Sequence, residues 1–399
     1  MLLTNARIVL PERVASRGSL NIEGDRVAQI LDSAAVDYRK ANNAIDLDGL
    51  TLYPGFIDAH IHGAAGVDTM DATADDLRRI GEFLSSKGVT AWMPTLVPAR
   101  LEQYQQAIES IEGAMQTKGK AAQVIGVHYE GPFVNSEQCG ALHKEYFRTF
   151  TKPEQLDALP TIKNASMDKD QHAGGVRTQA VHMMTLAPEV DGGIELIEEL
   201  TTRGWIVSIG HTRATREVLD QALAAGARHM THFMNAMTPL HHRDVGAVGW
   251  GLIHDDVTCD IIADGIHIDA SILKSIARAK NAERVSLISD AIAAAGMGDG
   301  EYEIWGEKIS VTHGRTQNAR GSIAGSVINM FDAVRMMLSL GFSEPEVARM
   351  ASLNPAKLIG LDQDRGSIEE GKCADLVAID NEMNVRLTII GGCIAFENV

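Results

Sequence analysis

The chain has 399 residues, of which 45% are hydrophobic and 22% charged, and its formal net charge is −17. This length suits one large α/β domain with a smaller partner, because α/β barrels take about 250 residues. The acidic balance argues against a nucleic-acid or anionic-membrane surface, since phosphate backbones need a basic footprint. A small anionic substrate is compatible with it if a local cluster of Arg, His and backbone N–H groups binds the anion.

Membrane and secretory signals are missing from the pattern of the chain. No apolar run approaches the roughly 20 residues that cross a bilayer, and polar residues and a proline interrupt the first 12 positions before any signal-peptide core. The four cysteines are scattered, form no CxxC pair and stand at Cys139, Cys259, Cys373 and Cys393. This usage suits a reducing compartment and argues against a cysteine-type zinc site. We therefore predict a cytoplasmic protein.

Both ends of the chain have the pattern of short β-strands. Within residues 1–50, Gly24 and Asp25 lie between two alternating apolar stretches and predict a hairpin. Residues 360–399 alternate in the same way. Because such small pieces bury little surface alone, we predict that residues 1–50 and 360–399 pair into one small β-sandwich.

Residues 51–359 alternate between apolar strand-like runs and amphipathic helical patterns. The eight runs are 51–60, 88–97, 122–131, 180–189, 204–212, 227–235, 258–267 and 284–291. Helical spacing of apolar residues is clear in 74–88, 216–226 and 269–282, and 168–179 is predicted to be a loop. Eight strand–helix units predict an α/β fold of the (β/α)8 TIM-like barrel type, with its active site at the C-terminal ends of the strands.

The first run ends in two histidines spaced i, i+2. On a strand, this spacing places the rings of His60 and His62 on the same face, where both can bind one cation. Short His pairs also occur as ordinary surface residues, so this pair needs further ligands from the rest of the chain.

Those ligands are offered by the ends of the other runs. Glu130, His211, His232, His267 and Asp290 stand at or just after the ends of five apolar runs. Each has a plain structural alternative, because a buried His is often a core residue and Glu or Asp can cap a helix. A barrel brings strand ends to one mouth, and their recurrence there predicts a metal site.

The order of the motifs resembles the amidohydrolase superfamily and, within it, the N-acetylglucosamine-6-phosphate deacetylases. The matching segments are PGFIDAHIHG (54–63), EGPF (130–133), TLAPE (185–189), GHT (210–212), THFMNAM (231–237), IADGIH (262–267), SDA (289–291), IAGS (323–326), ASLNPAKLIGL (351–361) and GSIEEGKCADLV (366–377). They span nearly the whole chain. The His pair and the last Asp are shared across the superfamily, whereas EGPF, HFMNAM and ADGIH are more specific.

The resemblance implies a role for each candidate ligand. Glu130, His211 and His232 would bind the main divalent cation, and His60 and His62 would bind a second one that Glu130 bridges to the first. One or two divalent ions per subunit are expected, with zinc first and iron, cobalt or manganese as alternatives.

Asp290 would accept a proton from the attacking water and pass it to the leaving amine. The chemistry of amide hydrolysis agrees, because an amine leaves poorly from an amide unless it is protonated. One carboxylate can accept the proton from water and donate it to the amine.

The resemblance also implies a binding site for a sugar phosphate. The residues concerned are Asn235, Ala236, Arg243, His267, Ile323, Ala324 and Gly325. Arg243 would reach the neighbouring subunit of a homodimer; the alternative for it is a solvated surface charge.

The chain departs from the family's pattern downstream of EGPF. Ala141 and His143 are the expected contacts to the substrate, but Leu142 takes the slot where relatives often have His or Gln.

These observations predict the metal-dependent hydrolysis of N-acetyl-D-glucosamine 6-phosphate to D-glucosamine 6-phosphate and acetate, in amino-sugar catabolism. Three alternatives stay open. They are the epimeric N-acetylgalactosamine 6-phosphate as substrate, another amidohydrolase activity on a cyclic amide or nucleobase, and a non-catalytic scaffold.

Overall fold

The computed structural model describes residues 1–31, 44–116, 120–163 and 180–398. The stretch 168–179, predicted as a loop, lies outside the described residues. Over the described ranges, every helix is too short or too polar to cross a membrane.

Eight parallel strands form a nearly closed barrel, which confirms the predicted architecture. They are β1 Phe56–Ile61, β2 Val89–Leu96, β3 Gly126–Glu130, β4 Val181–Leu186, β5 Ile206–Ile209, β6 His229–Met230, β7 Thr258–Ile262 and β8 Val285–Ile288. Each strand pairs with the next in this order, and Gln123–Val124 adds a short pair to β2. The ring closes just beyond β8, where the backbone N–H of Asp290 donates to the carbonyl of His60 at 2.9 Å.

Helices surround the barrel and follow the predicted segments. The α-helices are Ala74–Ser85, Leu101–Gln116, Glu154–Asp157, Gly193–Thr202, Arg216–Ala225, Gly246–Ile253, Ala270–Ala279, Met330–Ser339, Glu344–Ala348 and Asn354–Leu358, with 3-10 turns at Ser136–Gln138 and Lys144–Tyr146 and a π turn at Arg349–Leu353. Helix Ala74–Ser85 shows why such segments fold: Thr73 and Asp76 form a reciprocal capping box, and Leu77, Ile80 and Leu84 are buried on one face.

The two termini form one mostly antiparallel sheet. Its strands run in the order Cys393–Glu397, Val385–Ile390, Leu376–Ile379, Thr51–Pro54, Leu2–Val9, Val14–Glu23, Arg26–Leu31, and Ala44–Asp46 pairs with Leu2–Val9. The predicted hairpin turns at Gly24, whose φ is +61°. The sheet curls so that Arg26 bridges Cys373, and it encloses a hydrophobic cluster separate from that of the barrel.

The prediction of one continuous strand over 51–60 is wrong. Thr51–Pro54 pairs with Leu2–Val9 and Leu376–Ile379 in the terminal sheet, whereas Phe56–Ile61 pairs with β2 in the barrel. Gly55 lies between them, and a side chain does not fit there because a Cβ would lie 2.3 Å from the Thr90 side chain. We therefore propose that the boundary between the two parts lies at this glycine rather than before residue 51.

A three-stranded antiparallel sheet follows β8 and was not predicted. Its strands are Gly300–Ile304, Glu307–Thr312 and Arg315–Asn318. The first hairpin turns through Trp305 and Gly306, with φ of +54° and +73°. We call this element the inserted sheet.

The barrel interior changes from apolar to polar towards the mouth. Ile57, Met93 and Met183 belong to an apolar cluster that residues 356–361 help to close. Nearer the C-terminal ends of the strands, the buried ring of His128 bonds Thr185 at 2.8 Å and Thr95 at 3.4 Å. The apolar cluster fills the lower part of the barrel, and the polar layer lies directly under the residues at the mouth.

A buried ion pair ties the terminal sheet to the start of β1. Arg365 and Asp375 have side chains only 4% exposed and lie 3.3 Å apart, and the carbonyl of Asp375 accepts from the backbone N–H of Gly55 at 2.8 Å.

Replacing Arg365 with Met should lower the free energy of unfolding by about 3–5 kcal/mol, because Asp375 then stays buried without its counter-charge. Chemical unfolding measures the effect. Arg386→Met is the matched control, since Arg386 pairs with Asp380 at 2.7 Å but is 35% exposed, and its loss should change stability by less than about 1 kcal/mol. Equal losses of stability in the two variants would contradict the stabilising role of the Arg365–Asp375 ion pair.

Candidate active site

The predicted ligands converge at the barrel mouth, at or just after the ends of their strands. Glu130 is the last residue of β3, whereas His211, His232 and Asp290 each stand two residues beyond the last residue of their strand. Their φ angles are +47°, +30° and +49°. This left-handed conformation is strained for residues with a side chain and concentrates at functional sites. It turns the chain at the rim, where an extended residue would continue the barrel wall.

The first group consists of Glu130, His211 and His232. Oε1 of Glu130 lies 2.9 Å from Nε2 of His211 and 2.9 Å from Nε2 of His232, and the two nitrogens are 3.1 Å apart. All three residues are buried. Glutamate and histidine at this spacing match the ligand set of a divalent cation.

The tautomer of His211 explains why this group suits a metal. Its Nδ1 lies 2.7 Å from the carbonyl oxygen of Gln138, which can only accept, so Nδ1 carries the hydrogen. In the neutral ring, the lone pair of Nε2 then points at a carboxylate oxygen that also only accepts. Two acceptor atoms only 2.9 Å apart repel each other unless a proton or a cation lies between them. A divalent ion that binds both atoms removes this repulsion.

The second group consists of His60, His62 and Asp290. The two Nε2 atoms are 3.2 Å apart, and Oδ1 of Asp290 lies 3.4 Å from Nε2 of His60 and 3.2 Å from Nε2 of His62. Oε2 of Glu130 is 3.3 Å from Nε2 of His62, so this carboxylate faces both groups. Each group could hold one divalent ion, and Glu130 would offer a carboxylate oxygen to both.

The pKa of each group in this cluster depends on the charges of its neighbours. Burial would raise the pKa of Glu130, but hydrogen bonds from His211, His232 and His62 hold it well below its usual range. Burial lowers the pKa of a histidine, yet bonds to Asp290 and Glu130 raise that of His62 to about 10. The bond to Glu130 likewise raises the pKa of His232 to about 9. The carboxylates therefore draw positive charge to the mouth, as protons or as metal ions.

Metal binding should consequently release protons. At pH 7, below the raised pKa values of His62 and His232, the metal-free imidazoles hold protons that a cation must displace. The apparent affinity should rise about tenfold per pH unit for each proton released. Calorimetric titration at pH 6, 7 and 8, in two buffers of different ionisation heat, counts these protons. The His62→Asn variant should release fewer protons when it binds metal. A metal affinity that does not change with pH would contradict the prediction.

Two buried carboxylates support the ligands from below. Asp58 accepts from Ser289 Oγ at 2.6 Å and from the Ser289 backbone at 3.2 Å, and it joins β1 to the residues after β8. Asp260 accepts from the backbone N–H of His232 and bonds Nε2 of His229 at 3.0 Å. Burial raises the pKa of Asp58 to about 7. Asp260 and His229 were not predicted from the sequence, although an acidic residue inside an apolar strand signals a buried partner.

His128 lies directly beneath the second group. Its ring meets the ring of His60 edge-on with centroids 4.6 Å apart, and His60 also bonds Thr231 through Nδ1 at 3.1 Å. Burial lowers the pKa of His128 to about 3, which keeps the layer under the site uncharged.

The predicted phosphate-binding residues lie around the same rim. The backbone N–H and the side-chain amide of Asn235 both donate to the carbonyl of His232, at 2.9 and 3.1 Å. Ala236 follows with φ of +51°. Nδ1 of His267 donates to Asp264 at 2.7 Å, so Nε2 is the nitrogen left for a ligand.

The loop of Ile323, Ala324 and Gly325 packs against the backbone of Asp290. Gly325 has φ of +58°, and a Cβ there would lie 2.8 Å from the carbonyl oxygen of Asp290. The N–H of Ser326 donates to that carbonyl at 2.7 Å. The described segment after Asp290 forms turns rather than a helix, so the alternative role of Asp290 as a helix cap is not observed.

Arg243 and His143 lie further out. Arg243 is exposed and contacts His242 at 2.6 Å. His143 bonds the carbonyl of Trp305 through Nε2 at 3.0 Å and Glu145 through Nδ1 at 3.2 Å. Both ring nitrogens of His143 thus bond other residues of the protein. The contact of His143 with substrate stays a prediction. The carbonyl of Ala141 accepts from Arg320 at 3.0 Å.

Trp305 is a neighbour of the site that the sequence analysis missed. Its ring meets the ring of His62 edge-on with centroids 5.3 Å apart. Nothing in the local sequence signals this contact, because the inserted sheet reaches the mouth only through tertiary folding.

Comparison with known proteins agrees with this geometry. The sequence profile of the amidohydrolase family matches residues 51–395. The chain is 34% identical to N-acetylglucosamine-6-phosphate deacetylase of Bacillus subtilis, an alignment covering 99% of this chain and 97% of that protein. It is 37% identical to N-acetylgalactosamine-6-phosphate deacetylase of Escherichia coli, over 87% of this chain and 88% of that protein.

Solved structures give the same result. N-acetylglucosamine-6-phosphate deacetylase from Pasteurella multocida is similar with a TM-score of 0.88 at 30% identity, covering 100% of this chain and 99% of that one. A mutant of the Mycobacterium smegmatis enzyme in complex with N-acetyl-D-glucosamine-6-phosphate is similar with a TM-score of 0.84 at 30% identity, covering 99% of each chain. Matched by its profile over most of its length and by relatives over nearly all of it, this chain belongs to the amidohydrolase family.

Proposed function

We propose that this protein hydrolyses N-acetyl-D-glucosamine 6-phosphate to D-glucosamine 6-phosphate and acetate in a metal-dependent reaction of amino-sugar catabolism. The observation that carries the proposal is the convergence of two buried groups of His and carboxylate ligands at one barrel mouth. The names of the full-length relatives support the substrate.

The ligand set fits divalent ions that accept nitrogen and oxygen, with zinc first and iron, cobalt or manganese as alternatives. Glu130, His211 and His232 would hold one ion, and His60 and His62 the other. When bound, such ions polarise an amide carbonyl and make water a nucleophile at neutral pH.

Asp290 would perform the proton transfers. Its backbone is fixed on both sides, by donation to the His60 carbonyl at 2.9 Å and by acceptance from Ser326 at 2.7 Å. The carboxylate therefore stays over the second group, where it accepts a proton from the attacking water and returns it to the departing amine. The amine then leaves as a neutral group rather than as an unstable anion.

The phosphate would bind at the same rim, to His267 and to backbone N–H groups of the rim loops. Asp264 accepts from Nδ1 of His267 at 2.7 Å, which fixes the ring and leaves Nε2 as the atom that would face the phosphate. The backbone of Ala236 and of residues 323–325 would add N–H donors. Arg243 is exposed, and we propose that it completes the phosphate site of a neighbouring subunit in a homodimer. The four free thiols support a cytoplasmic location.

The test is amine release from N-acetylglucosamine 6-phosphate by the metal-loaded protein, by the chelated protein and by the chelated protein after zinc is restored. We expect activity only with metal, and far less on unphosphorylated N-acetylglucosamine. Metal-loaded protein that releases no amine, but hydrolyses a cyclic amide or a nucleobase, would overturn the proposal in favour of another amidohydrolase activity. Protein that binds no metal and has no activity would favour a scaffold.

The galacto epimer is a second candidate substrate, because the relative at 37% identity is named for it. Measuring kcat/KM on both epimers under identical metal loading separates the two. We expect the higher value on the gluco epimer.

A further inference from the structure

Three buried polar atoms beside the second ligand group lack hydrogen-bond partners among the described residues. They are Nδ1 of His62, Oδ2 of Asp68 and Nε1 of Trp305. Leaving a buried polar atom unpaired is unfavourable, so three together call for an explanation.

The three residues come from elements that fold around one another. Gly63, next to His62, pairs with Asp68 across a short antiparallel ladder, and the N–H of Thr69 donates to the carbonyl of His62 at 2.8 Å. The Trp305 ring reaches His62 from the inserted sheet. Burial raises the pKa of the Asp68 carboxyl to about 6, and the nearby side chains of His62 and Trp305 partly offset that rise.

The chemistry of the three atoms is complementary. Oδ1 of Asp68 already accepts from the N–H of Met70 at 2.8 Å, which fixes the carboxylate and leaves Oδ2 as an acceptor. The indole Nε1–H can only donate, and Nδ1 of His62 donates when Nε2 is kept as a lone pair for a metal ion. One carboxylate oxygen can accept from both.

We propose that Asp68, assisted by Trp305, is the positioning residue that orients His62 towards the second metal ion. Histidines that bind metals generally donate their other N–H to a carboxylate, a carbonyl or water, and this fixes both the tautomer and the ring. Two other ligands have an oxygen partner for Nδ1, Thr231 for His60 and Gln138 for His211, whereas Nδ1 of His232 has none among the described residues. Asp68 supplies the partner for His62 directly or through one water.

Asp68 and Trp305 would also link the second ion to the loop of Ala141 and His143, where substrate contacts are predicted. The carbonyl of Trp305 accepts from His143 at 3.0 Å, and Ala141 packs against the apolar cluster of the inserted sheet. The inserted sheet thereby contacts both a metal ligand and the loop expected to meet the substrate.

The inference rests on the proposed metal dependence but not on the identity of the sugar, so its test counts metal ions rather than turnover. Asp68→Asn is the informative variant. With Oδ1 occupied by Met70, the remaining atom becomes an NH₂ group facing two N–H donors. We expect the dissociation constant of the weaker metal site to rise about 10–100-fold, with the stronger site unchanged. Titration followed by elemental analysis measures both.

Three further variants make the result specific. Asp71→Asn removes a nearby exposed carboxylate and should bind both ions as the native protein does. In a His62→Asn background, which should bind one ion, Asp68→Asn should cause no further loss. Trp305→Phe keeps the ring but removes the N–H, and should weaken the second ion several-fold even if Asp68→Asn does not fold.

Native affinity at both sites in Asp68→Asn or in Trp305→Phe would overturn the inference. Equal weakening of both ions by Asp68→Asn, or further loss in the His62→Asn background, would also overturn it. If the metal results are as expected but the native, metal-loaded protein releases no amine from N-acetylglucosamine 6-phosphate, the proposed substrate is wrong and this inference stands.

Discussion

Asp290→Asn should lower kcat by about 10²–10⁴-fold, the range expected when a general acid–base group is removed. The amide keeps the shape of the side chain but cannot accept and return a proton. KM should change much less, because the expected phosphate contacts of His267 and residues 323–325 are untouched. The stronger ion, assigned to Glu130, His211 and His232, should stay bound. Steady-state kinetics and metal content on the same preparation measure these quantities.

The control for this substitution is Asp299→Asn, an exposed carboxylate in the segment that also follows β8. It should leave kcat and KM unchanged. Full activity in Asp290→Asn with normal metal content would show that another group moves the proton. Loss of activity together with loss of both ions would assign Asp290 a ligand role instead.

Glu130→Gln should have the largest effect of any single substitution on metal binding. Glu130 is the carboxylate that faces all four imidazoles, at 2.9 Å from His211 and His232, 3.3 Å from His62 and 3.7 Å from His60. A neutral amide neither bridges two cations nor offsets their charge. We expect both ions to be lost and kcat to fall by about 10³-fold or more, since bound metal contributes several kcal/mol to the transition state.

Glu130→Asp is the matched variant, because it keeps the charge but shortens the side chain by one methylene. It should retain one ion with reduced affinity and partial activity. Metal content measured after dialysis separates the two variants. Glu130→Gln protein that holds two ions would contradict the bridging role.

The candidate ligands were predictable because strand periodicity and barrel geometry act on local sequence. The i, i+2 spacing of His60 and His62 predicted rings on one face, and their Nε2 atoms lie 3.2 Å apart. The left-handed turns at His211, His232 and Asp290 were not predictable in the same way, because they depend on where the neighbouring strand stops pairing.

The supporting residues were harder to find for a physical reason. Asp58 and Ser289 are separated by 231 positions in sequence, and Trp305 reaches His62 from an element whose docking depends on the complete barrel. Only Asp260 carried a local signal, as an acid inside an apolar strand. The hairpin at Gly24 was predictable because its turn chemistry is local, whereas the break at Gly55 depends on the approach of Thr90.

The most direct test of the two-ion site is a crystal structure of zinc-loaded protein with anomalous diffraction recorded on both sides of the zinc absorption edge. We predict two peaks, one among Glu130, His211 and His232 and one beside His60 and His62, with the Glu130 carboxylate between them. Absence of a peak in the first position, in crystals of protein that elemental analysis shows to contain zinc, would contradict the account.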